Sequence, residues 1–153
     1  MKMIPVINDI KLTFLRPDIS EIIEVPYFDD GVSAGFPSPA DDWQEVKISL
    51  DNEVFGNNVS IKFCVRVSGH SMKNAGIEDG DVVVVNKLLE AQSNDICVCV
   101  INGEFTLKRL KIESDCVWLL PENDKYPPIL VSENEGFQIW GVVTHTLKYH
   151  RRK

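Results

Sequence analysis

Apolar and polar residues alternate along much of the chain from about residue 60 onward. In the run from Ile61 to Val67 every second residue is apolar, which is the period of a half-buried β-strand. Similar runs recur further on, and the predicted strands are residues 61–67, 82–85, 96–101, 104–112, 117–120 and 137–146. The pattern therefore predicts a mainly β fold of several antiparallel strands with short helical turns.

Turn-forming residues separate these runs. Asn102-Gly103 joins the third and fourth predicted strands and is a strong signal for a two-residue β-hairpin. This hairpin sets the register of the strand that contains Lys108. Residues 71–74 are predicted to begin a short helix that ends near Gly76, and the polar run at residues 41–45 is compatible with one helical turn.

The first 34 residues contain many apolar side chains but no long helical period, which is typical of an extended arm that lies on a larger body. The best linker in the chain follows at residues 32–40, where Gly35 and two prolines stand among small residues. Because a protease binds an extended and accessible segment, the Ala34-Gly35 bond is a candidate cleavage site. An ordinary hinge is the alternative interpretation.

Composition narrows the class of protein. The chain has 153 residues, enough for one domain with its own core, and a net charge of −7. An acidic protein is a poor ligand for a nucleic-acid backbone, so its partners are expected to be proteins. Neither a secretory signal nor a membrane-spanning run is found, and the cysteines lack metal-ligand spacing. We therefore expect a cytoplasmic protein with reduced thiols and without a metal, a cofactor or a membrane partner.

Ser71 and Lys108 are the candidate catalytic residues. Ser71 comes just after the first of these strands and the turn at Gly69, and alternation places Lys108 on the same strand face as Leu110. Burial disfavours the ammonium form of a lysine, so Lys108 on a covered face can be neutral and take a proton from a serine hydroxyl. A serine and a lysine alone can form a catalytic dyad. An ordinary solvated strand lysine is the alternative.

Five separated segments, in this order and at this spacing, resemble the LexA/UmuD family of self-cleaving Ser/Lys peptidases. The segments are Gly35–Ala40, Ser68–Met72, Gly76–Asp81, Asn102–Lys108 and Trp140–Val143. The resemblance runs from about Gly35 to the C terminus. It implies a β-rich peptidase and dimerisation domain at residues 35–153, preceded by an N-terminal arm at residues 1–34 that self-cleavage removes.

The resemblance also implies a mechanism and a role. Ser71 would be the nucleophile, Lys108 its base, and the backbone N–H groups of His70 and Ser71 the oxyanion hole for a cut at Ala34-Gly35. In this family a RecA filament on single-stranded DNA promotes self-cleavage in the SOS response to DNA damage. The processed homodimer would then join a UmuC-like Y-family translesion polymerase in error-prone synthesis.

Other functions stay open at this point. A serine–histidine site would need His70, His145 or His150. Of these, His70 points away from its neighbour Ser71 in an extended chain, and the other two have ordinary surface interpretations. A LexA-like repressor fragment is a further alternative, although residues 1–34 lack a helix-turn-helix pattern, so sequence-specific DNA binding is not expected. Two more alternatives are a peptidase that cleaves other proteins in trans and a non-catalytic module that binds a polymerase.

Overall fold

The structure, a computed structural model, describes residues 11–18, 20–21, 24–28, 45–132 and 136–151. Within these residues the chain forms ten strands and one short helix. The strands are β1 (Lys11–Leu15), β2 (Glu24–Phe28), β3 (Glu45–Ser49), β4 (Lys62–Ser68), β5 (Val82–Asn86), β6 (Ile96–Ile101), β7 (Glu104–Ile112), β8 (Val117–Leu120), β9 (Ile129–Val131) and β10 (Gln138–Leu147). The helix α1 (Leu50–Phe55) follows β3, and two 3-10 turns span Val59–Ile61 and Lys73–Ala75.

Eight strands form one antiparallel sheet in the order β1-β4-β5-β10-β6-β7-β8-β9. The sheet is curled, as contacts between the edge strand β1 and the distant strand β7 show. The ring centroids of Phe14 on β1 and Phe105 on β7 lie 4.8 Å apart. The prediction of a mainly β, antiparallel fold is confirmed, and β4 to β8 and β10 match the six predicted strands closely.

The hairpin between β6 and β7 has the predicted turn. Asn102 and Gly103 both have positive φ angles, 52° and 78°, as a type I′ turn requires. The turn pairs Ile101 with Glu104, and the same register places Cys97 opposite Lys108. The short turn at Asn102-Gly103 therefore determines which residues surround Lys108.

Both faces of the sheet are covered by apolar side chains. One cluster contains Phe63, Val65, Val67, Met72, Ile77, Val83, Val85, Val98 and Leu107. The other contains Cys97, Cys99, Ile101, Leu110, Leu119 and Val142. Because side chains alternate along a strand, Leu107 and its neighbour Lys108 point to opposite faces, and the side of β7 that carries Lys108 is the side of the second cluster.

The final strand β10 lies inside the sheet, between β5 and β6. A side chain at Gly141 would begin 2.6 Å from Val85 Cγ1 and 2.9 Å from the carbonyl oxygen of Asn86, so only glycine fits here. Trp140 is 44% exposed. The strand pairs with β6 through its first half, residues 138–142, and with β5 through its second half, residues 142–147.

The chain divides into two compact units. One contains β1 together with residues 60–153, and the other lies within residues 18–59 and contains β2, β3 and α1. In the second unit β2 pairs with β3, and the side chain of Ser49 caps α1 by accepting a hydrogen bond from the Asn52 backbone N–H. The predicted division at Ala34-Gly35 falls outside the described residues and stays a prediction.

Two further expectations meet the structure in part. Glu45 begins β3, so it does not belong to a helical turn, and residues 41–44 lie outside the described residues. The helix expected after Ser71 is the 3-10 turn at Lys73–Ala75, which ends at Gly76 in the left-handed conformation. No helix in the described part of the chain is long and apolar enough to cross a membrane.

Candidate active site

Ser71 lies in a turn that begins where β4 ends. Gly69 has a φ of 111°, a conformation that side chains disfavour, and its N–H donates to Asp79 Oδ1 at 2.9 Å. The backbone of Val67 exchanges two 2.8 Å hydrogen bonds with the next turn, to Asp81 O and from Gly80 N. Met72 then enters the first apolar cluster and is fully buried. The turn is thus held from both ends.

The hydroxyl of Ser71 is buried and unpaired. The residue is 1% exposed, and among the described side chains its Oγ is the only buried oxygen or nitrogen without a hydrogen-bond partner. A buried polar group without a partner costs about 1–3 kcal/mol. Ser71 and Lys108 therefore do not hydrogen-bond to each other in this structure, and the hydroxyl is available to a further group.

Two backbone N–H groups of the same turn also lack an acceptor in the described part of the chain. No described residue accepts a hydrogen bond from the N–H of His70 or of Ser71, whereas their carbonyl groups are bonded. His70 O accepts from the Lys73 N–H at 3.2 Å and from Asn123 Nδ2 at 2.8 Å, and Ser71 O accepts from the Glu122 N–H at 2.8 Å. Two adjacent N–H groups that have no acceptor among the described residues, beside a buried serine, have the composition of an oxyanion hole.

Lys108 is buried in the middle of β7, as the alternation predicted. It is 3% exposed, and its Nζ donates to Thr106 Oγ1 at 2.8 Å and to Leu107 O at 3.2 Å. The nearby strand lysine Lys111 is exposed and pairs with Glu113 at 3.1 Å. The alternative of a solvated strand lysine is therefore wrong for Lys108.

Two buried thiols face the same side of the hairpin as Lys108. Burial raises the pKa of Cys97 to about 12, and Asp95 adds to the rise. Burial also raises the pKa of Cys99 to about 12, and Cys97 adds to the rise. Both cysteines are therefore uncharged thiols at neutral pH, and they contribute an apolar wall beside Lys108.

The loop after β8 ties the serine turn to the lysine strand. Besides the bond from the Glu122 N–H to Ser71 O, the Glu122 carbonyl accepts from the Asn74 N–H at 2.8 Å. The Glu122 carboxylate is hydrogen-bonded to Arg109 Nε, and Arg109 follows Lys108 in β7. Ser71 and Lys108 are thus attached to one hydrogen-bonded framework, although they are 37 positions apart in the chain.

The histidines do not share this environment. His70, His145 and His150 are all exposed, whereas Ser71 is buried. His145 Nδ1 lies 2.8 Å from the hydroxyl of its neighbour Thr144. The surroundings of Ser71 in the described residues therefore do not favour a serine–histidine site.

Sequence reasoning missed three residues of this site. Thr106 shares a strand face with Lys108, so the alternation contained a signal for it. Glu122 and Asn123 follow β8 and carry no local signal, because their contacts with the serine turn span about fifty residues of chain. The predicted cleavage bond, Ala34-Gly35, lies outside the described residues, in the connection of residues 29–44 that joins the paired strands β2 and β3.

Comparison with known proteins defines the class of this chain as a β-rich peptidase. Residues 26–144 match the family described as Peptidase S24-like, and this span includes both Ser71 and Lys108. The chain therefore belongs to the S24 peptidase family, and the resemblance to the LexA/UmuD group is confirmed.

Several curated relatives agree with this assignment. Protein MucA of Salmonella typhimurium is 40% identical over 133 residues, which cover 86% of this chain and 89% of MucA. Protein ImpA of Salmonella typhimurium is 38% identical over 128 residues, or 84% of this chain and 85% of ImpA. The LexA repressor of Pectobacterium carotovorum subsp. carotovorum is 38% identical over 118 residues, or 76% of this chain and 57% of the repressor.

Proposed function

We propose that this chain is a self-cleaving Ser/Lys peptidase that cuts its own Ala34-Gly35 bond in the response to DNA damage. The observation that carries the proposal is the buried Ser71 hydroxyl without a partner, in a member of a peptidase family. Such a hydroxyl is costly unless another group completes the site. An incoming peptide segment and the Lys108 amine are the groups that complete it.

Lys108 is the base in this mechanism. Its side chain is 3% exposed and lies beside uncharged thiols, and such burial favours the neutral amine over the ammonium ion. The neutral amine takes the proton of the Ser71 hydroxyl while Oγ attacks the carbonyl carbon of Ala34. The hydrogen bond from Nζ to Thr106 Oγ1 holds the amine in place within the strand.

The reaction then proceeds through an acyl-enzyme. The N–H groups of His70 and Ser71 donate to the oxyanion of the tetrahedral intermediate, and each such donor typically contributes about 10²–10³ in rate. The Lys108 ammonium returns its proton to the leaving amine of Gly35. A water molecule, with Lys108 again as base, hydrolyses the Ser71 ester, which yields the Ala34 carboxylate and the free hydroxyl.

The cleaved bond lies between two strands that pair with each other. Five residues of β2 pair with five residues of β3, so both ends of the 29–44 connection are anchored by the same hairpin. Anchored ends lower the conformational entropy that a loop loses when it binds in a cleft. This arrangement supports the assignment of the bond within that connection as the substrate.

The cut changes the surface of the main sheet. The arm supplies β1, which pairs with β4 over five residues and packs Phe14 against Phe63 and Trp140 with ring centroids at 5.6 and 6.2 Å. Loss of β1 would leave the β4 edge and these rings open to another protein. We therefore propose that the processed chain, residues 35–153, is a cytoplasmic homodimer that binds a UmuC-like translesion polymerase. A RecA filament on single-stranded DNA promotes the cut.

Intact-mass measurement of the purified full chain tests the proposal. Incubation at neutral and alkaline pH should yield two fragments that meet at Ala34-Gly35, while the Ser71→Ala and Lys108→Ala chains stay whole. Lys111→Ala, which removes an exposed lysine of the same strand, is the matched control and should cleave at the wild-type rate.

A wild-type chain that remains intact is then incubated with a RecA filament on single-stranded DNA. A chain that is still uncut contradicts the peptidase proposal and favours a non-catalytic binding module. A cut that persists in the Ser71→Ala chain would also contradict it, because the nucleophile would then be another residue or a contaminating protease.

A further inference from the structure

The side chain of Asn123 is buried beside the serine turn. Asn123 is 5% exposed, and its Nδ2 donates to His70 O at 2.8 Å while its Oδ1 accepts from the Lys125 N–H at 3.1 Å. The second bond determines the orientation of the amide group, because only the oxygen can accept from a backbone N–H. The NH₂ end of Asn123 is therefore the end that faces the serine turn.

The acceptor of this bond belongs to a mechanistically important peptide group. The carbonyl of His70 and the N–H of Ser71 are the two ends of one planar trans peptide, so they point in opposite directions. A donor that fixes the direction of the His70 carbonyl also fixes the direction of the Ser71 N–H. The same bond polarises the peptide group and strengthens its N–H as a donor, by about 10–30% in condensed-phase estimates.

We propose that Asn123 is a positioning residue that aims and polarises the Ser71 N–H, one of the two donors of the oxyanion hole. The proposal rests on the proposed self-cleavage. Asn123 acts from behind the peptide plane and does not touch the substrate. Its neighbour Glu122 supports the same turn by donating its N–H to Ser71 O at 2.8 Å, so residues 122 and 123 hold both peptide groups that flank the Ser71 side chain.

The Lys73 N–H also donates to His70 O, at 3.2 Å. The carbonyl therefore keeps one donor when the Asn123 amide is removed, and the expected loss of rate is smaller than for removal of an oxyanion donor itself. We expect about tenfold, against the 10²–10³ typical of a direct donor.

The test is the Asn123→Asp chain, which keeps the shape and the acceptor for the Lys125 N–H but replaces the NH₂ donor with an oxygen. The matched control is Asn74→Asp, which makes the same chemical change at an exposed side chain of the neighbouring turn. Each full-length chain is assayed well below its own melting temperature. Asn123→Asp should self-cleave about tenfold more slowly than Asn74→Asp. The pH midpoint of the rate is measured in Asn123→Ala, which adds no charge near the base, and it should stay that of the wild type.

A spectroscopic measurement separates positioning from a general loss of structure. With ¹³C and ¹⁵N labels, the His70 carbonyl carbon and the Ser71 amide proton should both shift in Asn123→Asp, and resonances of the β6–β7 hairpin should not. If the Asp variant does not fold, Asn123→Ala, which puts no charge against the carbonyl, is used in the same two measurements with the same expectation.

Equal rates for the Asn123 and Asn74 variants, or an unshifted His70 carbonyl, would overturn the proposal. A rate loss in Asn123→Ala accompanied by a displaced pH midpoint would also overturn it, because Asn123 would then act on the base. Failure of the wild type to cleave would instead refute the proposed function, and the carbonyl shift would still decide whether Asn123 controls the peptide group.

Discussion

Two lysines in this protein occupy opposite kinds of environment. Lys108 is buried in β7 and donates to the Thr106 hydroxyl and a backbone carbonyl. Lys148 lies just after β10, in the wall of an open cavity of about 540 Å³, and forms ion pairs with Asp81 and with Glu78, the latter at 3.2 Å. Hydrogen bonding to the Asp81 and Glu78 carboxylates, chiefly Asp81, raises the pKa of Lys148.

The two environments favour different protonation states of the same type of side chain. Carboxylate partners hold Lys148 in its charged form, which makes it a structural cation at the surface. Burial beside a hydroxyl and two uncharged thiols favours the neutral form of Lys108, which makes it a potential base. Substitution of Lys108 should therefore affect mainly the cleavage rate, and substitution of Lys148 should affect mainly the stability of the fold.

The largest difference is expected for removal of each amine. Lys108→Met should lower the self-cleavage rate by about 10²–10⁴, the range typical of a general base, and Ser71→Ala should abolish cleavage. Lys148→Met should cleave within about twofold of the wild type, since this lysine is outside the mechanism. Intact-mass time courses of the three chains measure these rates. Similar cleavage rates in Lys108→Met and Lys148→Met would contradict the assignment of Lys108 as the base.

The pH dependence of the two lysines should have opposite consequences. The cleavage rate should rise about tenfold per pH unit until the Lys108 amine is fully neutral, and then level off. The folded-state pKa of Lys148 is raised, so its contribution to stability is complete below the ordinary lysine pKa and is lost as the pH rises through the raised value. The cleavage rate and the melting temperature are measured at the same series of alkaline pH values, where the rate should rise and the melting temperature should fall. A rate that is flat from neutral to alkaline pH would contradict the assignment of Lys108 as the base.

The hydroxyl that accepts from Lys108 can be removed with little change of shape. Thr106→Val should lower the plateau rate by about tenfold, because the amine loses its positioning contact. It should also move the pH midpoint down by about one unit, because an acceptor stabilises the ammonium form more than the amine. A pH–rate profile of the variant measures both effects. A reduced plateau with an unmoved midpoint would mean that Thr106 contributes packing alone.

The smallest effect is expected for the exposed ion pair between Lys148 and Glu78. Glu78→Gln removes this pair and leaves Lys148 bonded to the buried Asp81, so it should lower the melting temperature only slightly at low salt, because exposed pairs contribute little. The difference from the wild type should vanish near 1 M salt, where the screening length is about 3 Å. Thermal melts at two ionic strengths measure this difference, with Glu113→Gln as the control for loss of another surface ion pair. A difference that persists in high salt would show that Glu78 stabilises the fold by contacts other than its charge.

Local signals explain why much of the sheet was predictable. Alternation identified β4, and the Asn102-Gly103 turn identified the β6–β7 hairpin, because both signals are carried by residues close together in the chain. The same alternation placed Lys108 on a strand face with Leu110, and burial of both residues agrees with it. Short strands with weak patterns, such as β9 and β3, were not predicted.

The sequence by itself determined the strand-rich fold, the turn register around Lys108 and the identity of the two candidate catalytic residues. Only the tertiary structure decided that Ser71 is buried with an unpaired hydroxyl, that β1 forms the edge beside β4, and that Asn123 holds the peptide before Ser71. The physical reason is range: strand period and turn conformation depend on neighbouring residues, whereas the bond from Asn123 to His70 joins residues 53 positions apart. Such contacts exist only after the sheet has assembled and its loops have met.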